Sequence, residues 1–196
     1  MSVAPTPDLR HLIRDIPDFP TPGILFRDIT PLLADSAGLR LACDAMAEPF
    51  LDAKVDVVAA AEARGFIFAA PVAMRLGAGF VPIRKPGKLP FDRHAFHYDL
   101  EYGSDSLELH IDGVRPGQRV LIVDDLLATG GTVEACCRLL ENCDAKIVGC
   151  SFLIHLVTLG GHLRLSPYDV RSVIGFEDPD SETDLSIQNR QPGPSV

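Results

Sequence analysis

The residues best suited to chemistry lie in one stretch, VLIVDDLLATGGT, at positions 120–132. An apolar segment ends there in two adjacent carboxylates, Asp124 and Asp125, and a loop with two glycines follows. A glycine-rich loop that leads into a helix presents unpaired backbone N–H groups and the positive end of the helix dipole, which together suit a phosphate. Neighbouring carboxylates suit vicinal ribose hydroxyls or the shell of a Mg²⁺ ion. The stretch therefore predicts a site for a 5-phosphoribosyl group.

The phosphate half of this site is predicted to be the loop itself. The two glycines permit positive φ and close backbone approach, and the two threonines add hydroxyl donors. The chain has neither G-x-x-x-x-G-K-[ST] nor G-x-G-x-x-G, so the loop is not of the Walker or dinucleotide-binding type. The predicted phosphate-binding residues are Ala128, Thr129, Gly130, Gly131 and Thr132.

Two other interpretations of the acidic pair are weaker. One is an ordinary strand, turn and helix with incidental carboxylates. The other is a receiver domain, in which an acidic pair that closes the first strand holds Mg²⁺ beside a phosphoryl-accepting aspartate. Here only 71 residues follow the pair, and no later strand ends in a convincing acceptor aspartate. The pattern as a whole favours the phosphoribosyl site.

The segments around this stretch alternate between predicted strands and helices. Apolar runs predict strands at residues 55–61, 80–85, 107–111, 119–125, 145–157 and 169–176. Apolar spacings of three and four predict helices at residues 36–54, 64–76 and 133–142, after a short helix at 8–15. Residues 17–23 are a rigid, proline-rich loop, and residues 86–105 are a polar stretch. The alternation indicates an α/β fold with a mainly parallel sheet, whose ligands bind at the carboxyl ends of the strands.

Composition and charge exclude several other classes of protein. The formal net charge of −9 argues against a nucleic-acid or anionic-membrane partner. Six basic residues nevertheless stand against Asp92 alone within residues 64–93, which suits a small polyanion. No apolar run approaches the ~20 residues of a membrane span, and no secretory signal is visible. The five cysteines form no C-x-x-C pair, which favours reduced thiols in a cytoplasmic protein.

The stretch 120–132 resembles the phosphoribosyl-pyrophosphate motif of type I phosphoribosyltransferases. Four further segments follow the order and spacing of the adenine-using branch of that family: PDFPTPGILFRDITPLL, EARGFIF, IRKPGKLP and YDLEYG. The resemblance covers about residues 8–176. It implies the type I fold, a mainly parallel central sheet flanked by helices, with an N-terminal hood at about 1–35 and a mobile catalytic lid loop. Residues 1–176 are then one domain, and residues 177–196 a flexible acidic tail.

The resemblance implies a pentosyltransferase that moves the 5-phosphoribosyl group from phosphoribosyl pyrophosphate to N9 of adenine, giving AMP and pyrophosphate. It also implies a homodimer, and Mg²⁺ held mainly by the substrate and by Asp124 and Asp125 through water. The 6-oxopurine enzymes of the family have a carboxylate where this chain has Ala128, so the proton at purine N7 needs another group. The family supplies a lid glutamate, which Glu101 matches, and Tyr102 is expected to help close the lid.

The remaining site residues are assigned by the same resemblance. Leu25, Phe26, Arg27 and Leu126 are expected at adenine, with the Phe26 ring stacked on the purine and main-chain groups of Leu25 and Arg27 at its edge. Pyrophosphate is expected to bind at Glu62, Ala63, Arg64, Arg84, Lys85 and Lys88. The Glu62–Ala63 peptide is expected to be cis.

Four histidines depart from the family pattern or enrich its lid: His155, His162, His94 and His97. Their spacing suits no metal site. Two alternative functions stay open at this point. One is a purine phosphoribosyltransferase with another base, and the other is a non-catalytic sensor of phosphoribosyl pyrophosphate, which the short N-terminal extension and the acidic charge disfavour.

Overall fold

A five-stranded parallel sheet forms the centre of the fold in this computed structural model, which describes residues 8–100 and 103–177. Its strands are β3 (Val57–Ala61), β4 (Gly79–Ile83), β7 (Arg119–Leu127), β8 (Lys146–Leu156) and β9 (Val170–Phe176). They lie in the order β4–β3–β7–β8–β9, and every neighbouring pair is parallel. Parallel strands in the middle of such a sheet are buried on both faces, and all five residues of β3 are buried.

Two apolar clusters cover the two faces of this sheet. Alternate residues of β3 point to opposite faces, so that Val58 and Ala60 join one cluster while Val57, Ala59 and Ala61 join the other. The first cluster includes helices α2 (Ser36–Ala47) and α3 (Gly65–Leu76), and the second includes α4 (Gly131–Glu141). Two short helices, α1 (Thr30–Ala34) and α5 (Gly161–Arg164), complete the helical set of the described residues.

Two antiparallel pairs lie outside the central sheet. Strands β1 (Arg14–Ile16) and β2 (Phe26–Asp28) form the first, at the N-terminal end of the described chain. Strands β5 (Arg93–Leu100) and β6 (Gly103–His110) form a long hairpin. A two-residue bridge between Arg84 and Glu108 joins this hairpin to the chain after β4.

The α/β class and the parallel sheet predicted from the sequence are confirmed, and two local predictions are wrong. Residues 8–15 form one 3₁₀ turn at Arg10–Leu12 and then β1, because residues 14–16 pair with β2. The predicted helix 36–54 ends at Ala47, just before a 3₁₀ turn that contains Pro49. The polar stretch 86–105 contains strand β5, whose residues Phe96 and Tyr98 pack against the second cluster.

Two expectations about whole segments stay predictions. The single domain over residues 1–176 and the flexible tail are untested, and residues 178–196 lie outside the described part of the chain. The mobility of the lid is likewise a prediction: its stretch includes strand β5 and the start of β6, and Glu101 and Tyr102 lie outside the described residues. Within residues 8–100 and 103–177, none of the helices combines the length and apolarity needed to cross a membrane.

Candidate active site

A cavity of about 440 Å³ lies where β3 and β7 end and α4 begins. Residues 61–64, at the end of β3 and in the turn after it, line one side, and residues 124–133, from the last part of β7 to the start of α4, line the other. Parallel strands end at the same edge of a sheet, and that edge is where open α/β sheets bind their ligands. The pairing of β3 with β7 therefore brings together two segments about 60 residues apart in sequence.

The acidic pair at the end of β7 has protein partners for both carboxylates. Arg64 Nε donates to Asp125 Oδ2 over 2.6 Å, and the Asp125 carboxylate is buried. The backbone N–H of Asp125 donates to Asp124 Oδ1 over 2.9 Å. Burial raises the pKa of Asp124, and the negative charge of Asp125 raises it further. The pair therefore holds a proton more readily than two exposed aspartates.

The loop from Ala128 to Thr132 leads directly into the N-terminus of α4. Gly130 is the N-cap at φ +79°, a left-handed conformation that favours glycine, and no side chain among the described residues caps the helix. The first N–H groups of the helix are thus left to a ligand. Across the loop, a Cβ on Gly161 would overlap the carbonyl oxygen of Ala128, so α5 begins in direct contact with the loop backbone.

The turn after β3 joins the cavity to a basic loop. The Glu62–Ala63 peptide is cis, as the resemblance implied. The Glu62 carboxylate accepts from Arg84 Nε over 2.8 Å and from the Lys85 N–H over 2.7 Å. Desolvation alone would raise the pKa of Glu62, but these hydrogen bonds and the charge of Arg84 outweigh it, and the pKa is lower than usual. The loop at 84–88 is therefore tied to the wall of the cavity.

The segment expected at adenine lies beside the cavity. The guanidinium carbon of Arg64 is 5.7 Å from the centre of the Phe26 ring, and Phe19 packs edge-to-face on the same ring at 5.1 Å. The side chain of Arg27 turns away, to Asp15 and to the ring of Phe176 at 4.1 Å. Arg27 thus supports β2 with its side chain, which is compatible with the expected role of its main chain.

The structure brings most of the predicted site residues to one cavity. Those that line it are Glu62, Ala63, Arg64, Asp124, Asp125, Leu126, Ala128, Thr129, Gly130, Gly131 and Thr132. The lining does not include Leu25, Phe26, Arg27, Arg84, Lys85 or Lys88, which lie on adjoining segments, and Glu101 and Tyr102 are outside the described residues. The individual roles of all these residues remain predictions.

Sequence reasoning missed three residues that support these segments: Asp15, Phe176 and Glu108. Asp15 and Phe176 contact Arg27, and Glu108 pairs with Arg93. The fold makes these contacts, and the only local signal in the sequence is the alternation of each strand between its two faces. Sequence reasoning also did not predict a contact between His155 and His162, whose rings pack edge-to-face with their centres 5.2 Å apart. Burial and the charge of His162 lower the pKa of His155. In the described part of the chain, no three His, Cys, Asp or Glu side chains cluster as metal ligands.

Comparison with known proteins gives consistent results. Residues 31–185 match the family model of the phosphoribosyl transferase domain. The adenine phosphoribosyltransferase of Rhodopirellula baltica is 74% identical over 189 residues, which cover 96% of this chain and 92% of that protein. The adenine phosphoribosyltransferase of Nitrosococcus oceani is 54% identical over 168 residues, which cover 86% of this chain and 98% of that protein.

Solved structures agree with these sequence matches. The crystal structure of adenine phosphoribosyltransferase from Rhodothermus marinus superposes with a TM-score of 0.81 at 50% identity, covering 86% of this chain and 96% of that one. The Giardia lamblia enzyme, complexed with 9-deazaadenine, superposes with a TM-score of 0.82 at 35% identity, covering 90% of this chain and 100% of that one.

The raised pKa of Asp124 predicts how stability depends on pH. The folded state holds this proton more tightly than the unfolded chain does, so the contribution of Asp124 to the free energy of unfolding declines as pH rises above about 4. Asparagine keeps an acceptor for the Asp125 N–H and does not ionise. We expect the free energy of unfolding of Asp124→Asn, relative to that of the wild type, to increase by about 1 kcal/mol or more between pH 5 and pH 8.

Urea denaturation at the two pH values measures this difference. Asp169→Asn is the control, since it makes the same substitution at an exposed carboxylate, one that pairs with Arg171. A difference between Asp124→Asn and the wild type that stays constant with pH would contradict the raised pKa.

Proposed function

The chain belongs to the phosphoribosyl transferase domain family, and we propose that it transfers the 5-phosphoribosyl group of phosphoribosyl pyrophosphate to N9 of adenine. The products are AMP and pyrophosphate, so the reaction salvages a free purine. The observation that carries this proposal is the cavity that joins the 128–132 loop, the acidic pair and Arg64. These parts match the 5-phosphate, the ribose hydroxyls and the pyrophosphate of the donor. The adenine phosphoribosyltransferases at 50–74% identity support adenine as the acceptor.

Displacement at C1′ of the ribose builds positive charge on the sugar and negative charge on the leaving pyrophosphate. Arg64, Arg84, Lys85 and Lys88 supply cations for the leaving group, and fixed charges of this kind lower the barrier most in a site that excludes water. Arg64 is paired with Asp125 before substrate binds. The carboxyl groups of Asp124 and Asp125 offer oxygen partners to the ribose hydroxyls, and the raised pKa of Asp124 favours a proton on that side chain.

Adenine is proposed to bind between the N-terminal segment and the end of β7. The ring of Phe26 lies next to Arg64, which lines the cavity together with Leu126, and is proposed to stack on the purine. Main-chain groups of Leu25 and Arg27 read the edge of the base. With alanine at position 128, the proton at N7 is assigned to Glu101 of the lid, and Tyr102 helps to close the lid over the site.

Mg²⁺ is proposed to bind together with the donor. Asp124 and Asp125 offer the hard oxygen ligands that Mg²⁺ prefers, but both carboxylates already have protein partners. The two carboxylates are therefore better suited to bind water molecules on the ion than to bind the ion directly, and the substrate supplies the direct ligands. When bound, Mg²⁺ neutralises negative charge on the pyrophosphate.

The compartment proposed for the enzyme is the cytoplasm. All five cysteines are free thiols, and four of them are buried. Burial raises the pKa of Cys43 to about 11, and it also raises the pKa of Cys136 and Cys143. Such thiols are poor nucleophiles, and thiols persist where the surroundings are reducing.

AMP formation tests the proposed function directly. The purified chain is incubated with phosphoribosyl pyrophosphate, Mg²⁺ and one base at a time, and AMP and pyrophosphate are measured. We expect turnover with adenine and none above background with hypoxanthine, guanine or xanthine. We also expect chelation of Mg²⁺ to abolish turnover. Turnover with a 6-oxopurine instead of adenine would show that the chain uses another purine as the acceptor. Tight binding of phosphoribosyl pyrophosphate without turnover on any base would indicate a sensor.

Replacement of Glu101 tests its assignment to the proton at N7. Glu101→Gln keeps the shape of the side chain but can no longer exchange the proton, so kcat/KM for adenine should fall about a hundredfold. Glu48→Gln, which removes an exposed carboxylate after α2, is the control and should match the wild type. A fall of less than about threefold for Glu101→Gln would remove the catalytic role.

A homodimer is proposed on the face formed by α2 and α3. Met74 is 84% exposed there and Ile67 is 41% exposed, although both are large apolar side chains. A cavity of about 530 Å³ between the two helices, lined in part by Leu39 and Pro71, continues this apolar surface. Exposed apolar patches mark interaction sites, and two-fold dimers are the commonest oligomers. A second copy is therefore the proposed occupant.

Sedimentation equilibrium tests the dimer. The wild type should have twice the mass of the chain at micromolar concentration, and Met74→Lys should shift the equilibrium towards the monomer, because it places a charge in an apolar interface. Ile111→Lys, a similar change at an exposed residue after β6, should remain dimeric. A monomeric wild type, or equal masses for the two variants, would contradict this face as the interface.

A further inference from the structure

Glu108 is a buried carboxylate on the side of the hairpin that faces away from the apolar core. On β6, its neighbours Leu107 and Leu109 point into the second cluster, so the alternation of a strand directs Glu108 to the opposite face. The residue is nevertheless only 5% exposed. A carboxylate in this position is costly unless it is paired and hydrogen-bonded. Its contacts therefore show which part of the fold requires it.

The contacts of Glu108 belong to the basic loop and to the hairpin. Gly87 donates its backbone N–H to Oε2 over 3.1 Å, and Arg93 Nε donates to Oε1 over 2.7 Å. The backbone of Glu108 also exchanges two hydrogen bonds with Arg84, at 2.9 and 2.7 Å. Gly87 has φ +75°, which favours glycine, and in this turn its N–H reaches the carboxylate.

Two carboxylates thus hold different parts of the loop at 84–88. Glu62, on the cavity wall, binds the beginning of the loop at Arg84 and Lys85, and Glu108 binds its middle at Gly87. Lys88 follows Gly87 directly, and its charge reaches Glu62, whose pKa it helps to lower. Without the Glu108 side chain, the beginning of the loop would keep its anchor on Glu62, while Gly87 would lose its carboxylate partner and Lys88 would keep only its backbone bond to Lys85 within the described part of the chain.

We propose that Glu108 is a positioning residue for the pyrophosphate half of the substrate. By binding Gly87 and Arg93, it fixes the second half of the basic loop, and Lys88 with it, in reach of the cavity edge at Glu62. This inference rests on the proposed function, in which the basic loop binds pyrophosphate. It assigns to Glu108 no contact with substrate.

The test compares KM for the two substrates. Glu108→Gln keeps an acceptor for Gly87 but loses the charge that pairs with Arg93, and Glu108→Ala loses both. We expect KM for phosphoribosyl pyrophosphate to rise about tenfold in Glu108→Ala and less in Glu108→Gln, with KM for adenine within twofold of the wild type. Asp169→Asn, at an exposed pair with Arg171, is the control and should leave both constants unchanged.

A second measurement separates positioning from a general loss of structure. If Glu108 acts through Lys88, then Lys88→Met alone should raise KM for the donor, and adding Glu108→Gln should raise it little further. Independent, multiplicative effects would overturn the proposal, and so would an equal rise of KM for both substrates or a fall in kcat alone. If Glu108→Ala does not fold, the comparison of Lys88→Met with the double variant Lys88→Met, Glu108→Gln still tests the proposal.

Calorimetric binding of pyrophosphate with Mg²⁺ provides a readout without turnover. Weaker binding in Glu108→Gln than in the wild type supports the positioning role even if the wild type proves inactive on adenine, in which case only the proposed reaction fails. Equal binding by the two proteins overturns the role of Glu108 and leaves the proposed reaction intact.

Discussion

The parallel pairing of β3 with β7 is the constraint on which the site depends. Val57 lies opposite Val120 and Ala59 opposite Ile122, and the same register continued brings Ala61 level with Asp124. Strand β3 therefore ends level with the acidic pair, which lies in the last part of β7, and the turn after β3 faces that pair. The bond from Arg64 to Asp125 closes this junction. Small residues in β3, three of them consecutive alanines, let helices pack closely on both faces, so that α3 and α4 begin at the same edge.

Charge at this edge is organised in arginine–carboxylate pairs before any ligand binds. Arg64, Arg84 and Arg93 each donate from Nε, to Asp125, Glu62 and Glu108. Each such bond uses one of the five donors of a guanidinium group, so the pair is neutralised while the arginine retains further donors. This arrangement lets a chain with a net charge of −9 maintain a site for a polyanion. It also orders long side chains in advance, which lowers the entropic cost of binding.

The sequence predicted the parts of the site that are local and missed those that depend on distant pairing. Residues 124–132 are contiguous, and their order of apolar strand, carboxylates, glycines and helix is legible without the fold. Arg64 was predictable because EARG follows a strand. Strand β5 was not, because His94 and His97 obscure the alternation that Phe96 and Tyr98 follow. The role of Glu108 depends on its contacts with Gly87 and Arg93, beside a bridge to Arg84, and no local pattern predicts contacts between segments this far apart in sequence.

The two halves of the proposed site have different supports. The phosphate half stands on the ends of central strands and on the start of α4, which are buried in two apolar clusters. The base half stands on β2, in a two-stranded sheet whose own residues are mostly exposed or half-buried. Ile13 and Ile29 beside these strands join the first cluster, Arg10 donates to the carbonyl of Gly175 over 2.9 Å, and Arg27 lies on the ring of Phe176. A cation on an aromatic face contributes about 0.5–2 kcal/mol, much less than a buried apolar cluster. The strands of the base half thus have fewer buried contacts of their own than the central strands of the phosphate half. Local opening requires less free energy where such contacts are few, so the fold allows the N-terminal segment to adjust around a base while the donor site stays fixed.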